Sequence, residues 1–234
     1  FLSAQQVAPS PGRQECLPHL GEKCGPNTSS HAPMLVLGTA NRKKGIELAD
    51  LVRPVGVEVQ TLADFPGDFS VEENGDTFAA NARLKAAGYA RLLGRWVLAD
   101  DSGLDVDLLG NRPGVFSARY SGPDATDESN NRLLLGELGD TPLERRAARF
   151  VCHVALADPS GKIYAESDAS CRGRILFAPR GCNGFGYDPL FEIVEYHRTF
   201  AELGLRAKAV LSHRARATAR IIPALMQIAD AKKI

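Results

Sequence analysis

Short apolar runs alternate with amphipathic stretches through the first half of this chain, and that alternation limits the folds open to it. Residues 35–37, 57–60 and 96–99 are brief, β-branched or bulky, and read as strands. Residues 42–52 and 77–91 between them carry helical periodicity. In the second helix Phe78, Ala82, Ala86 and Tyr89 form one apolar stripe behind Thr77, a fitting N-cap. Pro54 should end the first helix, because the residue before a proline avoids helical dihedrals. A shorter helix fits 128–138. Residues 150–157 and 163–171 then read as two strands joined by Asp158-Pro159-Ser160-Gly161, a strong turn. Ser212 caps a final helix in which Ala217, Ile221, Ala224, Leu225 and Ile228 share a face; Pro223 should kink it. Strand–helix alternation followed by a hairpin predicts an α/β fold with a mixed sheet.

Residues 1–33 differ from all of this. They are rich in Pro, Ser, Gly, Gln and His and have no sustained period, so they read as a disordered or non-native extension. Met34 reads as an initiator, and residues 34–234 as the functional domain. Lys plus Arg and Asp plus Glu both number 28, which leaves no global positive field to recruit a nucleic-acid polymer. No apolar run has the length of a membrane span. The five cysteines are odd in number and include no C-x-x-C pair. That fits a reducing compartment, the cytoplasm, and argues against a disulfide framework or a zinc site.

Four segments carry chemistry. Ala99-Asp100-Asp101-Ser102-Gly103-Leu104 places two carboxylates after a buried strand, with a Ser-Gly turn expected next. Oxygen donors at a strand end suit Mg²⁺, which brings phosphate with it. Gly38-Thr39-Ala40-Asn41-Arg42-Lys43-Lys44 is a strand-to-helix turn, where free N–H groups, the helix dipole and lysines favour an anion. Gly184-Phe185-Gly186-Tyr187-Asp188 lets backbone approach a ligand and offers Phe185 for stacking. Ser212-His213-Arg214 opens the last helix with donors for a base edge. Beside these, Glu72-Glu73-Asn74-Gly75 precedes a helix on which Asn81 and Lys85 share a polar face. His153, in an apolar strand, reads as a satisfied core histidine.

These segments, in this order, resemble the inosine triphosphate pyrophosphatase family. The likeness also includes Thr77-Phe78-x-x-Asn81-Ala82 and Pro113-Gly114-Val115-Phe116-Ser117-Ala118-Arg119-Tyr120, and runs from Met34 to the C-terminus. Gly204-Leu205-Arg206, before Lys208, is less polar than the family's usual stretch. The resemblance implies a two-lobed fold, with a central elongated mixed sheet flanked by helices and a cleft between lobes. It implies a Mg²⁺-dependent homodimer that takes ITP, dITP and XTP to the nucleoside monophosphate and pyrophosphate, clearing them from the nucleotide pool. Asp101 would be general base and metal ligand, supported by Asp100, with Glu73 or Glu72 completing the metal site. Thr39, Asn41, Lys44 and Lys85 would hold phosphates, with Ala40, Arg42 and Lys43 in the same turn. Ser102, Phe185, Gly186, Tyr187, Asp188, Lys208, His213 and Arg214 would shape the sugar and base pocket. His213 and Arg214 would meet the 6-oxo group of inosine or xanthine and reject adenine. A pyrophosphatase for modified pyrimidine nucleotides would instead begin with a Ser-x-Ser-Pro-Arg-Arg-like segment. A non-catalytic nucleotide sensor would lack the acidic pair.

Overall fold

The elements follow the apolar pattern closely in the first half. The structure, a computed structural model, describes residues 34–67, 69–231 and 233–234; the extension expected over residues 1–33 lies outside them. The strands are β1 (Met34–Leu37), β2 (Glu58–Thr61), β3 (Trp96–Val106), β4 (Arg112–Pro113), β5 (Ala147–Ala157), β6 (Ile163–Ile175), β7 (Phe191–Ile193) and β8 (Arg198–Thr199). The helices are α1 (Arg42–Val52), α2 (Phe78–Leu93), α3 (Asp127–Leu138), α4 (Phe200–Leu211) and α5 (His213–Asp230). All described strands join one mixed sheet in the order β2-β1-β3-β5-β6-β7-β8, with β4 beside β3.

β1 pairs in parallel with β2 on one side and β3 on the other. The chain therefore leaves β1 through α1 in one direction and returns through α2 to the opposite side. Such a reversal opens a crevice beyond the carboxyl ends of the strands, where α/β proteins bind ligands. Leu35, Leu37 and Leu98 pack with Leu48 of α1 and with Ala217, Ile221, Leu225 and Ile228 of α5. Val36, Val97 and Ala99 pack with Ala82, Ala86 and Tyr89 of α2 on the other face. A third cluster, around Leu104, Phe150, Phe191 and Phe200, fills the far end beneath α3 and α4.

One expectation needs correction. Ser102 and Gly103 do not turn; they continue β3 to Val106, because β5 pairs antiparallel with it from Val97 to Val106. Glycine is required at 103 by packing: a Cβ there would stand 2.4 Å from Ser117 Oγ and 2.6 Å from the Gly114 carbonyl. α1 ends at Val52, two residues before Pro54, as expected, and a 3-10 turn over Arg53–Val55 leads on to Gly56. α4 is interrupted at Gly204 (φ 80°, ψ 177°). α5 runs through Pro223. Among the described residues, no helix is long and apolar enough to cross a membrane.

Candidate active site

Side chains alternate across a strand, so the adjacent acids of β3 serve opposite faces of the sheet. Asp101 points toward α2. Its Oδ1 accepts from Lys85 Nζ at 3.1 Å and its Oδ2 from Asn81 Nδ2 at 3.3 Å. Asn81 and Lys85, one turn apart, are only 2% and 7% exposed, so the polar face of α2 is turned into the site. Lys85 Nζ also lies 2.9 Å from Glu73 Oε2. The loop carrying Glu73 is tied down where Gly75 N–H donates to Asn81 Oδ1 at 2.8 Å. A side chain at Gly75 would meet that same oxygen at 2.8 Å.

Asp100 points toward α1 and α5. Its Oδ2 accepts from Ser102 Oγ at 3.0 Å and Arg214 Nε at 3.1 Å, with Lys44 Nζ at 3.9 Å. Its Oδ1 is buried without a hydrogen-bond partner. Burial works against ionisation of Asp100, yet Lys44, Arg214 and Lys85 outweigh it and hold the carboxyl well below the ordinary range. The balance differs at Asp101, where burial pushes the carboxyl up against the pull of Lys85 and Lys44. Two adjacent carboxylates thus have different proton affinities, as a fixed electrostatic group and a proton acceptor require.

The turn after β1 leads into the amino end of α1. Asn41 caps that helix, its Oδ1 accepting from Lys43 N–H and Lys44 N–H at 3.0 and 3.1 Å. Thr39 Oγ1 accepts from Asn41 N–H at 3.2 Å. Ala40, Arg42 and Lys43 are exposed, while Lys44 is drawn in toward Asp100. No acidic residue occupies the first turn of α1, so the dipole and lysines are left for an anion.

A pocket beside this turn brings Lys44, Ser102, Phe185, Gly186, Tyr187, Asp188, Lys208, His213 and Arg214 together. Asp188 Oδ2 accepts from Lys208 Nζ at 2.6 Å and Phe185 N–H at 2.9 Å. Lys208 Nζ stands 4.1 Å from the centre of the Phe185 ring. His213 stacks on Phe150 with ring centres 4.7 Å apart. Burial, with Arg214 and Lys208 nearby, keeps His213 neutral by holding its pKa well below the usual value. Its Nδ1 is buried with no partner. Tyr187 is fixed by a 2.9 Å hydrogen bond from its hydroxyl to the Ser117 carbonyl.

Arg214, expected as a base reader, already has protein acceptors. Besides Asp100, it donates from Nη2 to Ser102 Oγ at 2.7 Å and from Nη1 to Glu47. Glu47 also lies 2.8 Å from Lys208 Nζ, so it joins the two cations. Sequence reasoning missed Glu47. Its spacing of three from Lys44, on the face of α1 that meets the site, was the available signal. Glu72 and Arg42 are exposed and make no side-chain bond among the described residues. His153 is satisfied, as expected, with its Nε2 3.1 Å from Glu166 Oε2 on a carboxylate that Arg83 also holds, and its side chain is 13% exposed at the margin of the core.

Among the described residues, no three His, Cys, Asp or Glu side chains converge as a metal cage. The donors nevertheless suit Mg²⁺, which takes one or two carboxylates and completes its shell with phosphate and water. Asp101 and Glu73, both on Lys85 Nζ, are hard oxygen donors side by side on the α2 face of β3.

The sequence profile of the Ham1 family matches residues 35–224. A dITP/XTP pyrophosphatase of Rhodopirellula baltica is 50% identical over 194 residues, covering 83% of this chain and 93% of that protein. One from Geobacillus kaustophilus is 50% identical over 187 residues, covering 80% and 91%. The Staphylococcus aureus Ham1 protein structure superposes with a TM-score of 0.72 at 35% identity, covering 83% of this chain and 98% of that one. The nucleoside-triphosphatase, or dITP/XTP pyrophosphatase, of Mycobacterium abscessus does so at 0.66 and 43%, covering 81% and 99%. With its profile, relatives and sheet in agreement, this chain belongs to the Ham1 family.

Proposed function

We propose that this protein hydrolyses non-standard purine nucleoside triphosphates, ITP, dITP and XTP, to the monophosphate and pyrophosphate. The observation that carries the proposal is the split acidic pair. Asp101, with its raised proton affinity, sits beside Lys85 and Glu73, while Asp100 anchors Lys44 and Arg214 between the phosphate turn and the pocket. Relatives at 50% identity are named dITP/XTP pyrophosphatases.

In this reading Asp101 accepts the proton of the attacking water and orients it toward the α-phosphorus. Lys44 and the amino end of α1 meet the triphosphate, and Lys85 adds positive charge while keeping Asp101 in place. Phe185 covers the base, and the His213 imidazole, neutral and unpartnered at Nδ1, donates to its 6-oxo oxygen. Adenine carries an amino group there, and a desolvated donor facing a donor discriminates by about 10⁴-fold or more. Asp101 and Glu73 would hold Mg²⁺, which when bound neutralises phosphate charge. We further assign the protein to the cytoplasmic nucleotide pool and to a homodimer, which sedimentation velocity would measure.

The deciding experiment is product analysis with ITP, XTP, GTP and ATP in Mg²⁺. Expected products of ITP are IMP and pyrophosphate, with kcat/KM in the order ITP ≈ XTP > GTP ≫ ATP. IDP and orthophosphate as first products would overturn the reading.

A further inference from the structure

Asp127 and Asn131 lie one turn apart at the start of α3, outside the constellations described above, and both reach the same glycine. Asp127 Oδ2 accepts from Gly186 N–H at 2.9 Å, and Asn131 Nδ2 donates to the Gly186 carbonyl at 3.0 Å. Gly186 has φ of +62°, the left-handed region, so this turn suits glycine. One helix therefore holds both backbone groups of the residue between Phe185 and Tyr187. Phe185 carries the ring over the pocket, and Asp188 carries the partner of Lys208.

Asp127 has a second partner. Lys43 Nζ, from the phosphate turn, lies 3.4 Å from the same Oδ2. Both side chains are about half exposed, at 59% and 44%. Such a solvent-exposed pair is weak, and a phosphate can displace it. The bond from Gly186 N–H is charge-assisted and half-buried, and it is the stronger of the two.

We propose that Asp127 and Asn131 are positioning residues that hold the loop of residues 185–188 in its base-binding shape, and that the Lys43–Asp127 pair ties this loop to the phosphate turn. The inference rests on the nucleotide reading of the pocket given above. Without the clamp the loop must be ordered at the moment of binding, which weakens the ligand that uses it. The phosphate turn keeps its own cap at Asn41 and is unaffected by Asn131.

Calorimetric titration with IMP and with inorganic tripolyphosphate separates the two halves of the site. Asn131→Ala and Asp127→Ala should each weaken IMP binding by roughly tenfold, the order expected for one lost hydrogen bond to a half-buried group. Both should leave tripolyphosphate within about threefold of wild type. Asp127→Asn should restore IMP binding, because its amide oxygen still accepts the Gly186 N–H. The clamp is overturned if IMP binding is unchanged in both alanine variants, if the two ligands weaken together, or if Asp127→Asn is as poor as Asp127→Ala. Wild-type ITP turnover is followed in parallel. A wild type that binds IMP and does not turn over ITP loses the proposed activity and keeps the clamp. One that binds no IMP overturns the clamp, and ITP turnover alone then decides the activity.

Discussion

Asp100 and Asp101 are neighbours in sequence and lie on opposite faces of β3, one held by Arg214 of α5 and the other by Lys85 of α2. The two helices pack on opposite sides of the sheet, and the acidic pair lets both contribute to one crevice. The edge of β3 beyond the end of β1 is where the two sides meet: Gly38 N–H makes the last bond, to the Leu98 carbonyl at 2.8 Å, and Asp100 and Asp101 follow.

Asp101→Asn keeps the shape and removes the proton acceptor. We expect kcat for ITP to fall by about 10²–10⁴-fold, the usual span for a positioned acid–base group. Far-UV circular dichroism should be unchanged. Activity within about threefold of wild type would show that another group takes the proton.

Glu47 and Arg214 should behave as structural partners. Glu47→Gln leaves Lys208 and Arg214 with one fewer carboxylate in a mostly buried network. Arg214→Ala leaves Asp100 and Glu47 without their guanidinium. Each should cost roughly 2–4 kcal/mol in chemical denaturation, near the range for a broken buried pair. Arg214→Ala should lower ITP and ATP turnover by similar factors, whereas His213→Phe should narrow the ratio between them. Selective loss of ITP turnover in Arg214→Ala would return base reading to the arginine.

Gly103→Ala tests the continuity of β3 through the site. The added methyl would meet Ser117 Oγ, the Gly114 carbonyl and Phe78 Cε1, the last at 2.9 Å. Two of these neighbours are held firmly, since Ser117 Oγ donates to the Gly114 carbonyl and accepts from Leu104 N–H. Overpacking should cost about 1–3 kcal/mol or more, a melting point roughly 3–10 °C lower. An unchanged melting point would mean that the segment over residues 114–119 moves aside freely.

The pH dependence of stability should carry the mark of His213. Its folded-state pKa is held well below the usual value by burial, with Arg214 and Lys208 adding to the effect. Above about pH 6.5 the imidazole is neutral in both the folded and the unfolded chain and contributes nothing. Below that, the unfolded chain takes up a proton that the folded one refuses, so stability is lost as pH falls toward the folded pKa. Between about pH 6.5 and 5 the wild type should lose up to about 2 kcal/mol more than His213→Phe in urea denaturation. Parallel curves for the two proteins would place a proton on the folded imidazole.

Local chemistry settled much of this protein in the sequence alone. The α1 bounds, the Thr77 and Ser212 caps, the Asp158–Gly161 hairpin and the apolar stripe of α2 follow from period, capping and turn residues, which act over a few positions. The four motif segments also identified the family, because their order along the chain is itself sequence information. Tertiary structure decided the rest. Ser102-Gly103 became strand because β5, more than forty residues away, supplies its hydrogen bonds. Asn81 and Lys85 became buried because α2 lies against the face of β3 that carries Asp101. Glu47 gained its partners when α1 met α4 and α5, and Asp127 and Asn131 gained theirs when α3 met the loop of residues 185–188. A side chain's partner is fixed by contacts distant in sequence, and no local period encodes them.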